Sequence, residues 1–388
     1  MQLPPLGCRP KGRLSEAWRV KARVADVSSQ RHLVLAPRTA RVPLNVVAGF
    51  ARQLAAMLSN GVPLIRALET LTTQTEYPHF GLVIEQVAQE VHDGSTLSRA
   101  ASLHPRVFSS VWVHMVEVGE HTGGLDQSLE MIADWLEREE SVRRRVVSAL
   151  TYPLSVMLVS LALSVLLFTT VLPTFAGIFR EMNVALPAIT RLVMGLTWLL
   201  CQPWAWLLGV LLGLAAWQTW SAIWRSPRQS RLVFSLLLQV PGVGRLLYHG
   251  AQTRYCSAGH ALLSCGTDLL RTLRLAGQAS SNPVLEHDSK RVVKAIQQGL
   301  TLSAAMLETP QLYSTTLIQM VRAGEEASLL PEMLQRVAHF HDLELDASIE
   351  LLSATLEPVL LMGVSAVVGT IVLSIYLPMY STLMNLTG

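Results

Sequence analysis

The chain has 388 residues, of which 50% are hydrophobic and only 15% charged, a balance too apolar for an ordinary water-soluble protein. A membrane protein is the first expectation. The formal net charge of +3 says little by itself, and no nucleic acid is expected to bind directly.

Residues 1–46 read as a basic arm, with Arg9, Lys11, Arg13, Arg19, Lys21, Arg23, Arg31, Arg38 and Arg41 against only Glu16 and Asp26. Weak alternation at Val20, Ala22 and Val24 would allow a short strand, but five prolines from Pro4 to Pro43 favour an irregular segment. It is either a poorly ordered tail or an arm that touches anionic lipid or an acidic partner. The start lacks the apolar core of a secretory signal peptide, so the amino terminus is expected in the cytoplasm.

Residues 47–149 predict a first cytoplasmic helical domain. Phe50, Leu54, Met57 and Leu58 share one helix face, and Asn60-Gly61 supplies the left-handed residue that ends it. Pro63 suits the first turn of the next helix, whose stripe is Leu64, Leu68 and Leu71. Further helical periodicity follows around Val83, Val111 and Leu125. A run ending in Arg143-Arg144-Arg145 then passes into charge-free sequence from Val146 to Phe179. Two more charge-free windows, Leu192–Trp224 and Pro358–Gly388, also exceed the roughly 20 apolar residues that cross a bilayer.

The expected order is therefore a first transmembrane helix at 150–178, a periplasmic loop at 179–191 and a second transmembrane helix with a periplasmic-side extension at 192–224. A second cytoplasmic helical domain at 225–353, a third transmembrane helix at 354–383 and a periplasmic tail at 384–388 complete it. The arginines before the first span and after the second (Arg225, Arg228 and Arg231) place those ends in the cytoplasm. Pro153, Pro173, Pro358 and Pro378 are candidate hinges, and Gly209 and Gly213 form a GxxxG that lets helices approach closely.

The second half repeats the first. Gly61 matches Gly266, Gly94 matches Gly299, Gly119-Glu120 matches Gly324-Glu325 and Leu172-Pro173 matches Leu377-Pro378, each at one offset (266 − 61 = 378 − 173 = 205). In the twin, Thr267 is the expected N-cap of the helix Leu269–Leu273. Both copies run from bundle to outgoing helix, a parallel repeat and not the inverted kind. The fold class is an all-α membrane protein with two repeated cytoplasmic helical bundles and three transmembrane helices.

No catalytic, cofactor or metal residues emerge. Gly242-Val243-Gly244-Arg245 lacks the lysine and hydroxyl of a phosphate loop, and neither G-x-S-x-G nor H-E-x-x-H occurs. His339, His341, Asp342, Glu344 and Asp346 read as a solvated helix face, with metal binding as the sharper alternative and a core position at His341, opposite Leu136, as another. The four cysteines show no paired spacing and read as reduced thiols. A transporter or channel would place ionisable groups within the spans, and these have none.

The marked sites are the segments around Gly119-Glu120 and Gly324-Glu325. They are expected to form a close turn between helices, with the carboxylate facing the next helix N-terminus or presenting a docking surface. Glu117-Val118-Gly119-Glu120-x-Thr122-Gly123-Gly124-Leu125, Ala149-Leu150-x-Tyr152-Pro153, Leu172-Pro173-x-Phe175, Leu186-Pro187-x-x-Thr190 and the Gly61/Gly266 turns together resemble the inner-membrane platform family of type II secretion systems and type IV pili. The resemblance covers about residues 47 to 383. It implies a non-enzymatic, multi-pass protein of the bacterial inner membrane, on which a hexameric secretion or pilus ATPase acts to help pilin or pseudopilin helices leave the membrane. It also implies other inner-membrane assembly proteins as partners, and a homo-oligomer is expected. The second copy departs from the pattern, reading Arg322-Ala323-Gly324-Glu325-Glu326-Ala327-Ser328-Leu329-Leu330 without the Thr-Gly-Gly element.

Overall fold

Every regular element among the described residues is helical. The computed structural model describes residues 42–167, 227–238 and 242–387, with isolated positions between 168 and 226. The expectations for the basic arm up to residue 41, the 179–191 loop, Pro173, Gly209 and about two-thirds of the second span lie outside the described residues.

The first copy comprises α1 (Leu44–Ser59), α2 (Leu64–Gln74), α3 (Pro78–His92), α4 (Leu97–Ser102), α5 (Ser110–Thr122) and α6 (Leu125–Leu166). After α7 (Pro227–Leu237), the second comprises α8 (Val243–Ser264), α9 (Leu269–Ala279), α10 (Pro283–Gln297), α11 (Leu302–Leu307), α12 (Thr315–Ala327) and α13 (Leu330–Thr387). From α2/α9 onward, every helix of the second copy begins 205 residues after its counterpart (269 − 64, 330 − 125). The turns match as well. Gly61 and Gly266 take φ of 79° and 85° and so reverse the chain after α1 and α8, a conformation open to glycine without a Cβ clash. The N-cap of α9 is Asp268 and not Thr267: its carboxylate accepts from Leu270 N and Arg271 N, both orphan donors at a helix start.

The first core forms where α1 lies along α6. Phe50, Phe80, Phe108 and Trp112 stack in it, with Phe50–Phe80 centroids at 5.4 Å edge-to-face and Phe108–Trp112 at 4.3 Å. All four are at most 5% exposed, and burial of side chains this size stabilises by about 1.5–3 kcal/mol each. In the second copy Tyr255 and Tyr313 replace Phe50 and Phe108, with centroids 6.2 Å apart. Polarity enters this core. Asp288, at the position of Val83, is 6% exposed and receives Arg291 Nε at 2.7 Å and Thr309 Oγ1 at 3.1 Å. The pairing compensates a buried charge that would otherwise be costly.

Each copy ends in a helix that leaves its bundle. α6 runs unbroken through Pro153, and α13 runs unbroken through Pro358 and Pro378 into the stretch expected to be a tail. Both are long and apolar enough to cross a membrane. Along α6 the side chains of Leu154, Leu158, Leu161 and Leu166 are more than half exposed, as are Val359, Leu361 and Met362 on α13. Apolar surface bare over this length fits lipid and not water.

Candidate functional site

Gly119 and Glu120 do not form a turn. Helix α5 continues past them to Thr122 and ends at Gly123, whose φ of 76° provides the left-handed cap; Gly124 is then the N-cap of α6, with Leu125 its first residue. Gly119 instead sets how closely α5 and α6 cross, since a Cβ there would stand 2.6 Å from Ser128 Oγ and 3.1 Å from Leu125 Cα. Thr122 gives its hydroxyl to Val118 O at 3.0 Å and stays within its own helix.

Glu120 reaches backward. Its carboxylate accepts from Leu97 N at 2.5 Å, and from Ser98 N at 3.2 Å and Ser98 Oγ at 2.5 Å. It thus caps α4, the helix before its own, where the carboxylate meets orphan donors and the positive end of the dipole. The second copy does the same: Glu325 accepts from Leu302 N at 2.6 Å and Ser303 N at 3.1 Å at the start of α11. Gly324 lies inside α12, with its absent Cβ 3.0 Å from Leu330 Cα. Ser328 takes the left-handed position of Gly123 with φ 58°, so the lost Thr-Gly-Gly element leaves the backbone path intact.

Glu117 works at the joint between the copies. It receives His114 Nδ1 at 2.8 Å and Arg271 Nη2, from α9, at 2.9 Å. The His114 hydrogen bond, with the Arg271 charge adding to it, holds the Glu117 carboxyl below its ordinary pKa. Nearby, Ser110 Oγ donates to Gln278 Oε1 at 3.0 Å, and Cys265 Sγ lies 3.8 Å from Met131 Sδ. Further along the stems, Arg145 of α6 donates to Asp342 at 2.5 Å and Asp346 at 2.6 Å on α13. These contacts tie the two bundles into one unit.

The acidic and histidine residues of α13 divide among different faces. Asp342 and Asp346 hold Arg145, while His339 and Glu344 are exposed. His341 is not on a solvated face: it is 1% exposed and its Nδ1 is 3.1 Å from His249 Nδ1, with Ser314 Oγ 3.1 Å from its Nε2. Burial, with His249 adding to it, lowers its pKa to about 4. Among the described residues no group of three or more metal-ligating side chains converges. Cys256 is buried and free, and burial pushes its thiol pKa up, away from reactivity. Around Gly213, nothing among the described residues lies within 4 Å of where a Cβ would stand.

Two helical bundles joined through facing charges, each extended by a bare apolar helix, define a membrane-anchored helical scaffold. The family model described as "Type II secretion system (T2SS), protein F" matches residues 50–173 and 260–378, and the chain belongs to that family. It is 33% identical to the type IV pilus assembly protein PilC of Thermus thermophilus over 89% of this chain and 84% of the relative. It is 28% identical to the protein of the same name from Pseudomonas aeruginosa, over 88% and 91%. With the type II secretion system protein F of Aeromonas hydrophila, identity is 27% over 84% of each chain.

Proposed function

We propose that this chain is the polytopic inner-membrane platform of a type IV pilus or type II secretion machine. It couples a cytoplasmic hexameric ATPase to the insertion of pilin or pseudopilin subunits into a filament. The observation that carries this reading is that α6 and α13 each join a polar-surfaced bundle to a bare apolar rod without a break. Movement imposed on a bundle then reaches the membrane as tilt or rotation of a stiff helix, not as slack in a linker. Three spans, at 150–178, 192–224 and 354–383, hold both bundles on the cytoplasmic side, and the second span returns the chain so that the unit repeats. Pilus assembly and type II secretion are named among the relatives, and the chemistry proposed is mechanical, without catalysis.

The test is isolation of the full chain from its host membrane in mild detergent. The proposal expects a hexameric ATPase and pilin-like single-helix subunits to be recovered with it. Recovery of neither, under conditions that keep the chain folded, contradicts it.

A further inference from the structure

Where the two copies meet, a cavity of about 410 Å³ opens between α6, α8 and α13. Four guanidinium groups line it: Arg138 and Arg145 from α6, Arg254 from α8 and Arg336 from α13. Two carboxylates, Glu139 and Asp342, share that lining, and Asp346 also pairs with Arg145, so the cluster keeps an excess of one positive charge (4 − 3). Asp342 is already engaged by Arg145. Neither Arg138 nor Arg336 has a carboxylate within 4.0 Å among the described residues.

One donor at the cavity is left unsatisfied. Arg145 Nε is buried without a hydrogen-bond partner. Arg254 gives its Nε to Ser280 O at 3.3 Å. Burial pushes the Arg254 guanidinium pKa down and the Glu139 carboxyl pKa up, the mark of charges held away from water. Buried donors normally find partners, and an unpaired one is costly.

We propose that this cavity binds a small phosphorylated metabolite of mononucleotide size, its phosphate held by Arg138, Arg254 and Arg336 and its remainder lying against Trp135. Arginines brought to one cavity by three helices suit a phosphate, whose several oxygens accept from forked donors at once. The volume falls in the range of small-molecule sites, about 300–1,000 Å³, and exceeds what a bare phosphate fills. Trp135 and Val142 supply an apolar wall. A soluble ligand and a lipid headgroup would offer the same phosphate chemistry, and the titration separates the two sources. On α6 the lining ends at Arg145, directly before the charge-free stretch from Val146, and on α13 it ends at Asp342, sixteen residues (358 − 342) before the one from Pro358, about 24 Å of helix at 1.5 Å per residue. Occupancy would bind the stem of the first copy to two helices of the second and stiffen the joint, whichever machine the chain serves.

The experiment is calorimetric titration of the full chain in phosphatidylcholine nanodiscs, with adenosine monophosphate, inorganic pyrophosphate and, as the phosphate-free control, adenosine. The expected result is saturable binding of at least one phosphorylated probe, none of adenosine, and a loss of about tenfold or more in R138A/R336A. R138K/R336K, which keeps the charges but not the forks, should fall between the two. Absence of saturable binding by either phosphorylated probe up to about 10 mM, or equal binding by R138A/R336A, overturns the proposal. Repeating the titration in phosphatidylglycerol nanodiscs separates the sources. Competition seen there and abolished in R138A/R336A would assign the cavity to a lipid headgroup and overturn the soluble ligand.

Discussion

Arg145 of the first copy donates to Asp342 of the second at 2.5 Å, and Asp342 stands where Glu137 stands one copy earlier (342 − 205 = 137). Glu137 is engaged within its own bundle, 3.0 Å from Arg52 on α1. The position equivalent to Arg52 is Ser257, which leaves Asp342 free to reach across. One acidic position therefore closes a bundle in the first copy and joins the bundles in the second.

Removing that joint should weaken the association of the copies without unfolding either. The groups are about one-third exposed, so a double-mutant cycle of R145A and D342A should give a coupling energy of about 1 kcal/mol. Chemical denaturation of the detergent-solubilised chain measures it, and the swap R145D/D342R should recover part of the loss. Single-mutant effects that simply add would show that the pair contributes nothing.

Glu120 and Glu325 are expected to matter through the helices they cap. E120A and E325A each leave orphan backbone donors at the start of a six-residue helix, and should each cost about 1–2 kcal/mol. Hydrogen exchange should report the loss first at Leu97–Ser98 and Leu302–Ser303. Unchanged protection at those amides would mean the carboxylates serve another purpose.

Ser328 holds a left-handed conformation that Gly123 adopts freely. S328G should therefore stabilise the chain by about 1 kcal/mol and G123A destabilise it by a similar amount. Paired melting curves of the two variants decide this, and opposite signs are the expected outcome.

The His249–His341 pair makes the second bundle sensitive to acid. A single proton between two Nδ1 atoms 3.1 Å apart satisfies both neutral rings, whereas a second charges one ring and sets two N–H donors face to face. The pKa of His341 is lowered to about 4 in the folded chain, against about 6.5 when unfolded. Between these values the unfolded chain binds more protons, so stability is fully present above about pH 6.5 and declines as pH falls towards 4. The loss reaches about 3 kcal/mol. H341L, which restores the residue type of Leu136, should flatten the dependence of melting temperature on pH between 7 and 5.

The repeat and the bundle-to-rod helices were legible because they are written in local spacing. Gly61 and Gly266, the charge-free windows and the apolar stripes each need only a few neighbouring residues to be seen. What the sequence concealed depends on distance along the chain. Glu120 was expected to serve the following helix, but its partner Leu97 lies 23 residues back, and no spacing rule points there. The joint of Arg145 with Asp342 spans 197 residues. Its one legible sign was the exchange of Arg52 for Ser257, which matters only once the copies are superposed. Thr267 lost the N-cap to Asp268 because both residue types cap helices and Asp268 stands directly before Leu269, the first residue of α9.

The central claim is that both bundles share the cytoplasmic side, where an ATPase can act on them. Its most direct test is labelling of E130C and E332C by a membrane-impermeant maleimide in intact cells, compared with the parent chain. The account predicts no added labelling at either position until the inner membrane is opened, and then labelling at both. Reaction at either one with the membrane closed would contradict it.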